Sequence, residues 1–200
     1  MKIIFFGDSV TDAARDRSNP LHLGAGYVKI AAEELRLSYP KLEILNRGNG
    51  GDRTEQLLER IETDVVAEKP DVVVLEVGIN DVWHRFLGGV AVSPEEFRQN
   101  YEKIVSCLKD TGAKIVILQP YALRVGDKQQ LRPYLDHFNG IIREIAVCEK
   151  LPVIALDEIF HTVTQEVEPT VIAQDGVHPT QCGCRYIADL VVAELKNYLA

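Results

Sequence analysis

The chain has 200 residues, a formal net charge of −8 and a hydrophobic fraction of 46 %. A chain of this length buries roughly 70 % of its unfolded-state surface, which is enough for one ordinary globular domain over residues 1–200 without disulfides or a structural metal. The acidic balance argues against nucleic acid as a partner, because neutralising phosphates requires clustered Lys and Arg.

The sequence also gives no sign of a membrane segment or an export signal. The apolar run from Ile3 to Phe6 is too short for the core of a signal peptide, and no later run approaches the ~18 apolar residues of a membrane span. We therefore expect a soluble protein that has no membrane partner and is located in the cytoplasm.

The cysteines follow no familiar metal or redox pattern. Cys182 and Cys184 stand one residue apart near the C-terminus, and C-x-C alone matches no common set of metal ligands. We expect no metal site and no other cofactor, and the sequence leaves the role of these two thiols open.

Short β-branched segments alternate with longer amphipathic segments along the chain, which predicts alternating strands and helices. A helix beginning after Ser93 has the clearest start, because a serine N-cap, Pro94 at the first helical position and Glu96 in a capping box come together, and Gly112 supplies the stop. The other predicted helices cover 54–68 and 180–199, and 163–173 is expected to contain a loop. The predicted strands cover 2–6, 43–45, 72–77, 114–118 and 153–156.

This alternation predicts the α/β fold class. The near-continuous apolar run from Val72 to Leu75 suits a strand that is buried on both faces, and strand–helix alternation requires parallel strands joined by right-handed crossovers. We expect a three-layer α/β/α sandwich with a five-stranded parallel sheet, similar to the flavodoxin-like arrangement.

Ligands of open α/β sheets bind beyond the carboxyl ends of the strands, so the residues that follow each strand are of special interest. The first strand is followed by residues 7–12 (GDSVTD), which place Ser9 in a tight strand-to-helix turn. Free backbone N–H groups and the helix dipole favour a developing anion there. Ser9 is the candidate nucleophile.

Two further polar motifs follow later strands. Residues 46–52 (NRGNGGD) after the second strand contain three glycines that let bare backbone approach a ligand, and residues 78–81 (GIND) follow the third strand. Each fragment alone has an ordinary structural interpretation as a turn, a cap or a connector.

A serine hydroxyl needs a base to become a useful nucleophile. Residues 175–178 (DGVH) supply an imidazole and, three residues before it, a carboxylate. One turn can present both side chains together, so that Asp175 orients His178 and stabilises its protonated form. The nucleophile and its base then come from opposite ends of the chain.

Two other chemistries fit parts of this pattern. The glycine-rich loop could hold a phosphate, although the chain lacks both the dinucleotide-binding fingerprint and a Gly-Lys-Ser/Thr loop. Asp8 and Asp12 could hold a metal for phosphoryl transfer, since hard cations prefer carboxylates. The serine between them and the histidine near the C-terminus favour acyl transfer.

Taken together, the motifs GDS at 7–9, the glycines of 48–51, GIND at 78–81 and DGVH at 175–178 resemble the four sequence blocks of the SGNH/GDSL hydrolases, in the same order. The resemblance implies that Ser9 is the nucleophile and that His178 and Asp175 complete a triad. It also implies that the N–H groups of Ser9 and Gly51 and the Asn80 amide form the oxyanion hole. Arg53 stands where the family's Gly-Asp-Thr motif has its threonine.

Within that family, residues 24–28 (GAGYV), 78–83 (GINDVW) and 177–179 (VHP) are most similar to bacterial carbohydrate acetylesterases, notably acetylxylan esterases. This similarity implies a small acylated carbohydrate as substrate, and it makes a homo-oligomer plausible. The candidate substrate-binding residues are Tyr27, Trp83, His84 and Arg85.

Two alternatives remain at this point. A lysophospholipase or thioesterase would use the same residues on a longer acyl chain, and its activity would rise with apolar burial of that chain. A carbohydrate-binding module that kept the fold would bind a sugar without hydrolysing an ester.

Overall fold

The computed structural model describes residues 1–89 and 91–199. The expected domain of residues 1–200 includes Val90 and Ala200, which lie outside the described residues, and its extent stays a prediction.

The described residues form a five-stranded sheet in which all neighbouring strands are parallel. The strand order is β2-β1-β3-β4-β5. This confirms the predicted fold class and the number of strands. The strands are β1 (Lys2–Gly7), β2 (Glu43–Gly48), β3 (Val72–Glu76), β4 (Lys114–Leu118) and β5 (Val153–Ile154).

The ends of β1 and β3 differ from the sequence prediction by one residue each, and the ends of β2 and β5 differ by more than one. Strand β2 continues through Asn46 to Gly48 because these residues pair with Phe5 and Gly7 of β1, whereas the sequence predicted a loop from position 46. Strand β5 has only two residues because a helix begins at Leu156. Polar and glycine residues in β2 gave no local signal of a strand.

Nine helices and three 3₁₀ turns are present in the described ranges. The predicted helix over 54–68 ends at Asp64 and is followed by a separate 3₁₀ turn, Val66–Glu68. The helices are α1 (Ser9–Asp12), α2 (Tyr27–Ser38), α3 (Thr54–Asp64), α4 (Ile79–Trp83), α5 (Pro94–Asp110), α6 (Arg132–Glu149), α7 (Leu156–Val163), α8 (Pro169–Ile172) and α9 (Gln181–Leu199). The other 3₁₀ turns are His84–Leu87 and Gly126–Leu131.

The helices form two layers around the sheet. Helix α2 packs against α9, while α3 packs against α5 and α5 packs against α6. All five residues of β3 are buried, as are five of the six residues of β1, so the central strands are covered on both faces. The architecture is the predicted three-layer α/β/α sandwich.

The chain order reverses across the sheet between β1 and β3, because β1 is followed by β2 on one side and the later strands lie on the other. Such a switch point is where open α/β sheets bind ligands. Gly7 at the end of β1 pairs with Gly48 on one side and with Glu76 on the other. The loops after β1, β2 and β3 therefore start side by side. None of the helices described here has both the length and the apolar character needed to cross a membrane.

Candidate active site

The structure brings Ser9, His178 and Asp175 together although they lie at opposite ends of the chain. Ser9 Oγ lies 2.9 Å from His178 Nε2, and His178 Nδ1 lies 2.7 Å from Asp175 Oδ2. The second carboxylate oxygen, Oδ1, accepts the backbone N–H groups of Val177 at 2.9 Å and His178 at 2.7 Å. The 175–178 turn thus fixes both the imidazole and the carboxylate that orients it.

These hydrogen bonds also determine the charge on Asp175. Partial burial acts to raise the pKa of this carboxyl, but the hydrogen bonds from the His178 ring and from the two backbone N–H groups outweigh it. The pKa of Asp175 lies below its ordinary value. Asp175 is therefore a carboxylate at neutral pH, which is the state that stabilises a protonated imidazole.

Ser9 is the first residue of α1 and is held there by the residue before it. Asp8 caps this short helix by accepting the N–H of Val10 at 3.0 Å through Oδ1. Among the described residues, no protein acceptor faces the N–H of Ser9. This donor is free to meet an anion next to the Ser9 hydroxyl.

The glycine-rich loop lies directly beside Ser9. A Cβ atom placed on Gly50 would lie 3.8 Å from Ser9 Cβ, and the Gly50 N–H donates to Asp12 Oδ2 at 3.0 Å. Gly51 has a φ of +87°, a conformation that favours glycine. Its N–H donates to no acceptor within the described ranges, so it is available as the oxyanion donor that the family resemblance implies.

Asn80 lies in α4, next to the same loop, and is buried. Its Nδ2 donates to the Asp52 carbonyl at 3.0 Å. An amide nitrogen carries two hydrogens, so the bond to Asp52 fixes the side chain and leaves one N–H for a ligand. Ser9, Gly51 and Asn80 follow β1, β2 and β3, so the two free N–H groups and this amide lie at the same edge of the sheet.

Arg60 is a structural residue of this site that sequence reasoning missed. From α3 it donates to Asp52 Oδ2 at 2.7 Å, to the Gly7 carbonyl at 2.9 Å and to the Arg47 carbonyl at 2.8 Å. Its guanidinium lies 4.6 Å from the centroid of the Phe6 ring. Arg60 therefore ties the end of β1, just before Ser9, to the loop that carries Gly51. No local pattern marked it among the charged residues of an amphipathic helix.

Trp83, a candidate substrate-binding residue, is half-buried and lies beside the imidazole. The ring centroids of Trp83 and His178 are 5.8 Å apart, with an interplanar angle of 47°. The ammonium of Lys128 lies 4.6 Å from the centroid of the indole ring. One face of Trp83 is therefore occupied by a side chain that the sequence did not indicate.

Of the other candidate substrate-binding residues, Tyr27 requires a correction. Tyr27 is fully buried and its hydroxyl is hydrogen-bonded to Thr11 Oγ1 at 2.9 Å. It has no surface to offer a substrate, because it opens the apolar face of α2 and packs edge-on against Phe5.

Arg85 and His84, the other two candidates, lie in different surroundings. The Arg85 guanidinium lies 4.1 Å from the centroid of the Tyr134 ring and reaches the Val92 carbonyl. Arg85 is therefore engaged with Tyr134 and Val92, and its role in substrate binding stays a prediction. His84 is half-buried, and burial together with the positive charge of Arg53 lowers its pKa. A neutral ring at that position remains a candidate hydrogen-bonding group.

Asp8 and Asp12, the candidates for a metal-dependent site, have separate partners. Asp12 accepts hydrogen bonds from Arg17 Nη2 at 2.6 Å and from the Arg15 N–H at 3.0 Å, besides Gly50. Asp8 is fully buried and faces Glu76. Neither carboxyl is disposed to hold a cation at the surface, and the described residues contain no cluster of three or more His, Cys, Asp or Glu side chains arranged for a metal.

Residues 5–186 match the GDSL-like Lipase/Acylhydrolase family. The chain belongs to this family. Among curated relatives, the acetylxylan esterase of Geobacillus stearothermophilus is 29 % identical and is matched over 97 % of this chain and 93 % of its own length. The arylesterase of Vibrio mimicus is 29 % identical, over 78 % of this chain and 71 % of its own. Membership of this family, together with these esterase relatives, shows that the chain is a carboxylic ester hydrolase.

Solved structures agree with this classification. An α/β hydrolase enzyme from the metagenome of Lake Arreo, Spain, is 30 % identical and superposes with a TM-score of 0.88 over 96 % of this chain and 93 % of its own. The Geobacillus acetylxylan esterase superposes with a TM-score of 0.88 at 28 % identity, over 97 % of this chain and 93 % of its own. Catalytic mutants of that enzyme replace a serine, an aspartate and a histidine by alanine.

Proposed function

We propose that this esterase hydrolyses short acyl esters, acetyl esters of carbohydrates in particular, through a catalytic triad of Ser9, His178 and Asp175. The observation that carries the proposal is the continuous hydrogen-bonded chain from Ser9 Oγ through the imidazole to the Asp175 carboxylate, at 2.9 and 2.7 Å. That geometry is what activation of a serine hydroxyl requires.

In the acylation half-reaction, Ser9 Oγ attacks the carbonyl carbon of the ester while His178 Nε2 takes the hydroxyl proton. The carbonyl oxygen becomes an oxyanion that accepts hydrogen bonds from the Ser9 and Gly51 N–H groups and from the Asn80 amide. As the tetrahedral intermediate collapses, the bond to the alkoxide breaks and His178 gives it the proton. An alcohol leaves and an acyl ester of Ser9 remains.

Deacylation repeats these steps with water. His178 removes a proton from the water, the hydroxide attacks the acyl carbon, and the same three donors hold the second oxyanion. The bond between the acyl carbon and Ser9 Oγ then breaks, His178 returns the proton to Ser9 and the carboxylic acid leaves. Asp175 keeps the required tautomer of the imidazole throughout and stays ionised.

The surroundings of Ser9 and the relatives both support the proposal of a small, polar substrate. Arg17 lies at the mouth of the site, where its Nη2 would be 3.9 Å from a Cβ on Gly50, and half-buried His84 and Trp83 follow Asn80. Polar groups around one partly exposed indole suit sugar hydroxyls and a sugar face. An acetylxylan esterase is among the relatives aligned over almost the whole chain.

The test compares hydrolysis of p-nitrophenyl acetate, butyrate and octanoate with that of acetylated xylo-oligosaccharides. It uses wild type, Ser9→Ala and Ser38→Ala, since Ser38 is an exposed serine at the far end of α2. We expect acetate release that is lost in Ser9→Ala and kept in Ser38→Ala, with octanoate hydrolysed poorly.

The other outcomes separate the alternatives. A rate that rises with acyl-chain length would indicate a lysophospholipase or thioesterase, because added methylenes contribute binding only if the site buries them. Failure of Ser9 to react with a serine-directed phosphonate, together with retained binding of oligosaccharides, would indicate a carbohydrate-binding module.

Location and assembly remain predictions. With intracellular oligosaccharides as substrates, the protein would be found in the cytoplasmic fraction, and recovery mainly from the medium without lysis would contradict this. Analytical ultracentrifugation would test the expected homo-oligomer.

A further inference from the structure

A pair of buried carboxyls lies directly behind the nucleophile. Asp8 precedes Ser9 in the chain and is fully buried, and Glu76 at the end of β3 is 1 % exposed. Glu76 pairs in register with Gly7, the residue before Asp8, so the two carboxyls meet at the same end of neighbouring strands, and each affects the protonation of the other. Two carboxylates in such contact repel each other in a poorly solvated interior, so they ordinarily share one proton.

The donors around the pair show where that proton resides. Glu76 Oε2 accepts the Thr11 hydroxyl at 3.1 Å, a bond that stabilises its ionised form. Asp8 Oδ1 accepts the Val10 N–H, whereas its buried Oδ2 faces no donor among the described residues. An oxygen that lacks a donor but lies against a carboxylate is satisfied when it carries the hydrogen itself.

The titratable groups around the pair do not compensate two negative charges. Among the groups that the structure describes around the pair, His178 can carry a positive charge. Arg60 carries one near the end of β1, where it donates to the Gly7 carbonyl at 2.9 Å, but its guanidinium is already paired with Asp52 and Asp64. The groups that interact electrostatically with Asp8 or Glu76 are Tyr27 from α2, Asp81 from α4, Tyr101 from α5, Tyr121 from the segment after β4, and His178 from the 175–178 turn.

We propose that Asp8 and Glu76 are positioning residues that hold a single proton between them, carried by Asp8 Oδ2 as a donor to the Glu76 carboxylate. The bond clamps the Ser9 turn to the end of β3, and the pair keeps one negative charge near His178. The role towards His178 rests on the proposed function, whereas the shared proton does not. Burial raises the pKa of both carboxyls, in agreement with a proton retained at neutral pH.

Infrared spectroscopy tests the proton directly, because a protonated carboxylic acid has a carbonyl stretch separate from that of a carboxylate. Asp81, whose pKa burial raises to about 7, contributes to this region in both proteins. At neutral pH we therefore expect the difference spectrum of wild type minus Asp8→Asn to show one such band. Labelling the side-chain carboxyl carbon of aspartate with ¹³C should shift this band. Equal spectra for wild type and Asp8→Asn, or a lost band that the aspartate label does not shift, would overturn the assignment to Asp8.

The effect on His178 is tested by the acid limb of the pH profile of kcat/KM. In Asp8→Asn the side-chain amide replaces the Asp8 O–H as the donor to Glu76, and Glu76 stays ionised. The midpoint of the acid limb should therefore match that of wild type. The double variant Asp8→Asn/Glu76→Gln carries no charge, which should move the midpoint to lower pH by about half a unit or more. The exposed Asp110→Asn should leave it unchanged.

The outcomes remain separable. An unshifted acid limb in the double variant would overturn the electrostatic role, and the spectra would still decide the shared proton. If Ser9 proved not to be a nucleophile, it would stay unlabelled by the phosphonate, and the infrared result would be unaffected. Should the double variant Asp8→Asn/Glu76→Gln fail to fold, Asp8→Asn and the labelled wild type keep the proton test decisive.

Discussion

Lys128 packs on Trp83, with its ammonium 4.6 Å from the centroid of the indole ring. The stem of Lys128 passes over the 175–178 turn, where a Cβ on Gly176 would lie 3.1 Å from Lys128 Cγ. The Leu123 N–H donates to the Gly176 carbonyl at 2.8 Å. The segment after β4 therefore supports the turn that carries His178 and steadies the neighbouring indole.

Trp83 is the single tryptophan of the chain, so intrinsic fluorescence reports on the active site. A protonated imidazole quenches a nearby indole, and the two rings are 5.8 Å apart. We expect the emission to fall as the pH is lowered, with a midpoint equal to that of the acid limb of kcat/KM. His178→Ala should abolish the transition, whereas the neighbouring His84→Asn should keep it. A transition that survives in His178→Ala would contradict this assignment.

Asp175→Asn should remove most of the activity without removing the fold. An asparagine can occupy the same space, but it favours the wrong tautomer of His178 and cannot stabilise the protonated ring, so kcat should fall by roughly 10²- to 10⁴-fold with little change in KM. Steady-state kinetics on p-nitrophenyl acetate measures this. Asp189→Asn, at a half-exposed position on α9, is the control, and an equal loss there would point to general destabilisation.

Asn80→Ala should lower kcat by roughly 10²- to 10³-fold, which is the usual cost of losing one oxyanion donor. The same change breaks the 3.0 Å bond from Nδ2 to the Asp52 carbonyl, and this costs stability. Urea unfolding at the assay temperature separates the two effects. If kcat stayed at the wild-type value in folded Asn80→Ala, Asn80 would not be an oxyanion donor.

Arg60→Met should be strongly destabilising because Asp52, 5 % exposed, would keep its charge without a partner. Breaking a buried ion pair from one side costs about 3–5 kcal/mol. The double variant Arg60→Met/Asp52→Asn should recover part of that loss, since no unpaired charge remains. A double-mutant cycle by urea unfolding measures the coupling. Additive effects would show that the 2.7 Å contact contributes nothing specific.

The same cycle has an expected result in kinetics. Both Arg60→Met and the double variant lose the bond to the Gly7 carbonyl, which lies 2.9 Å from Arg60 Nη2. Activity should therefore stay low in the double variant even where stability recovers. Recovery of activity together with stability would mean that Arg60 acts only through Asp52.

Asp81 should make the protein less stable as the pH rises towards neutrality. Burial raises the pKa of Asp81 to about 7, although hydrogen bonds from the Thr54 N–H and hydroxyl oppose this. The native state then binds a proton that the unfolded state has released. Its contribution is fully present below about pH 4, is lost as the pH rises to about 7, and is constant above that.

Comparing wild type with Asp81→Asn isolates this contribution, because other carboxyls titrate in both proteins. The difference in the free energy of unfolding should change by about 3–4 kcal/mol between pH 4.5 and 7.5, as an order of magnitude. Urea unfolding at intervals of pH measures it. A difference that is independent of pH would show that Asp81 titrates normally.

Much of the fold could be predicted from the sequence because helix caps and apolar strand runs are local patterns. Ser93 caps α5 by accepting the Glu96 N–H at 3.1 Å, as the serine, proline and glutamate pattern predicted. The apolar runs of β1, β3 and β4 likewise marked buried strands. The extension of β2 to Gly48 was not predictable from these rules, since its pairing partner lies some forty residues away.

The sequence by itself determined the fold class and proposed the chemical groups of the site, because the motifs around Ser9, Asn80 and His178 each follow a strand or form a turn of characteristic composition. Only the tertiary structure decided which side chains support these groups. Tyr27 is buried and Arg60 and Lys128 reach the site because of how α2, α3 and the segment after β4 pack on the sheet. Such contacts join residues that are distant in the chain, and they leave no local pattern in the sequence.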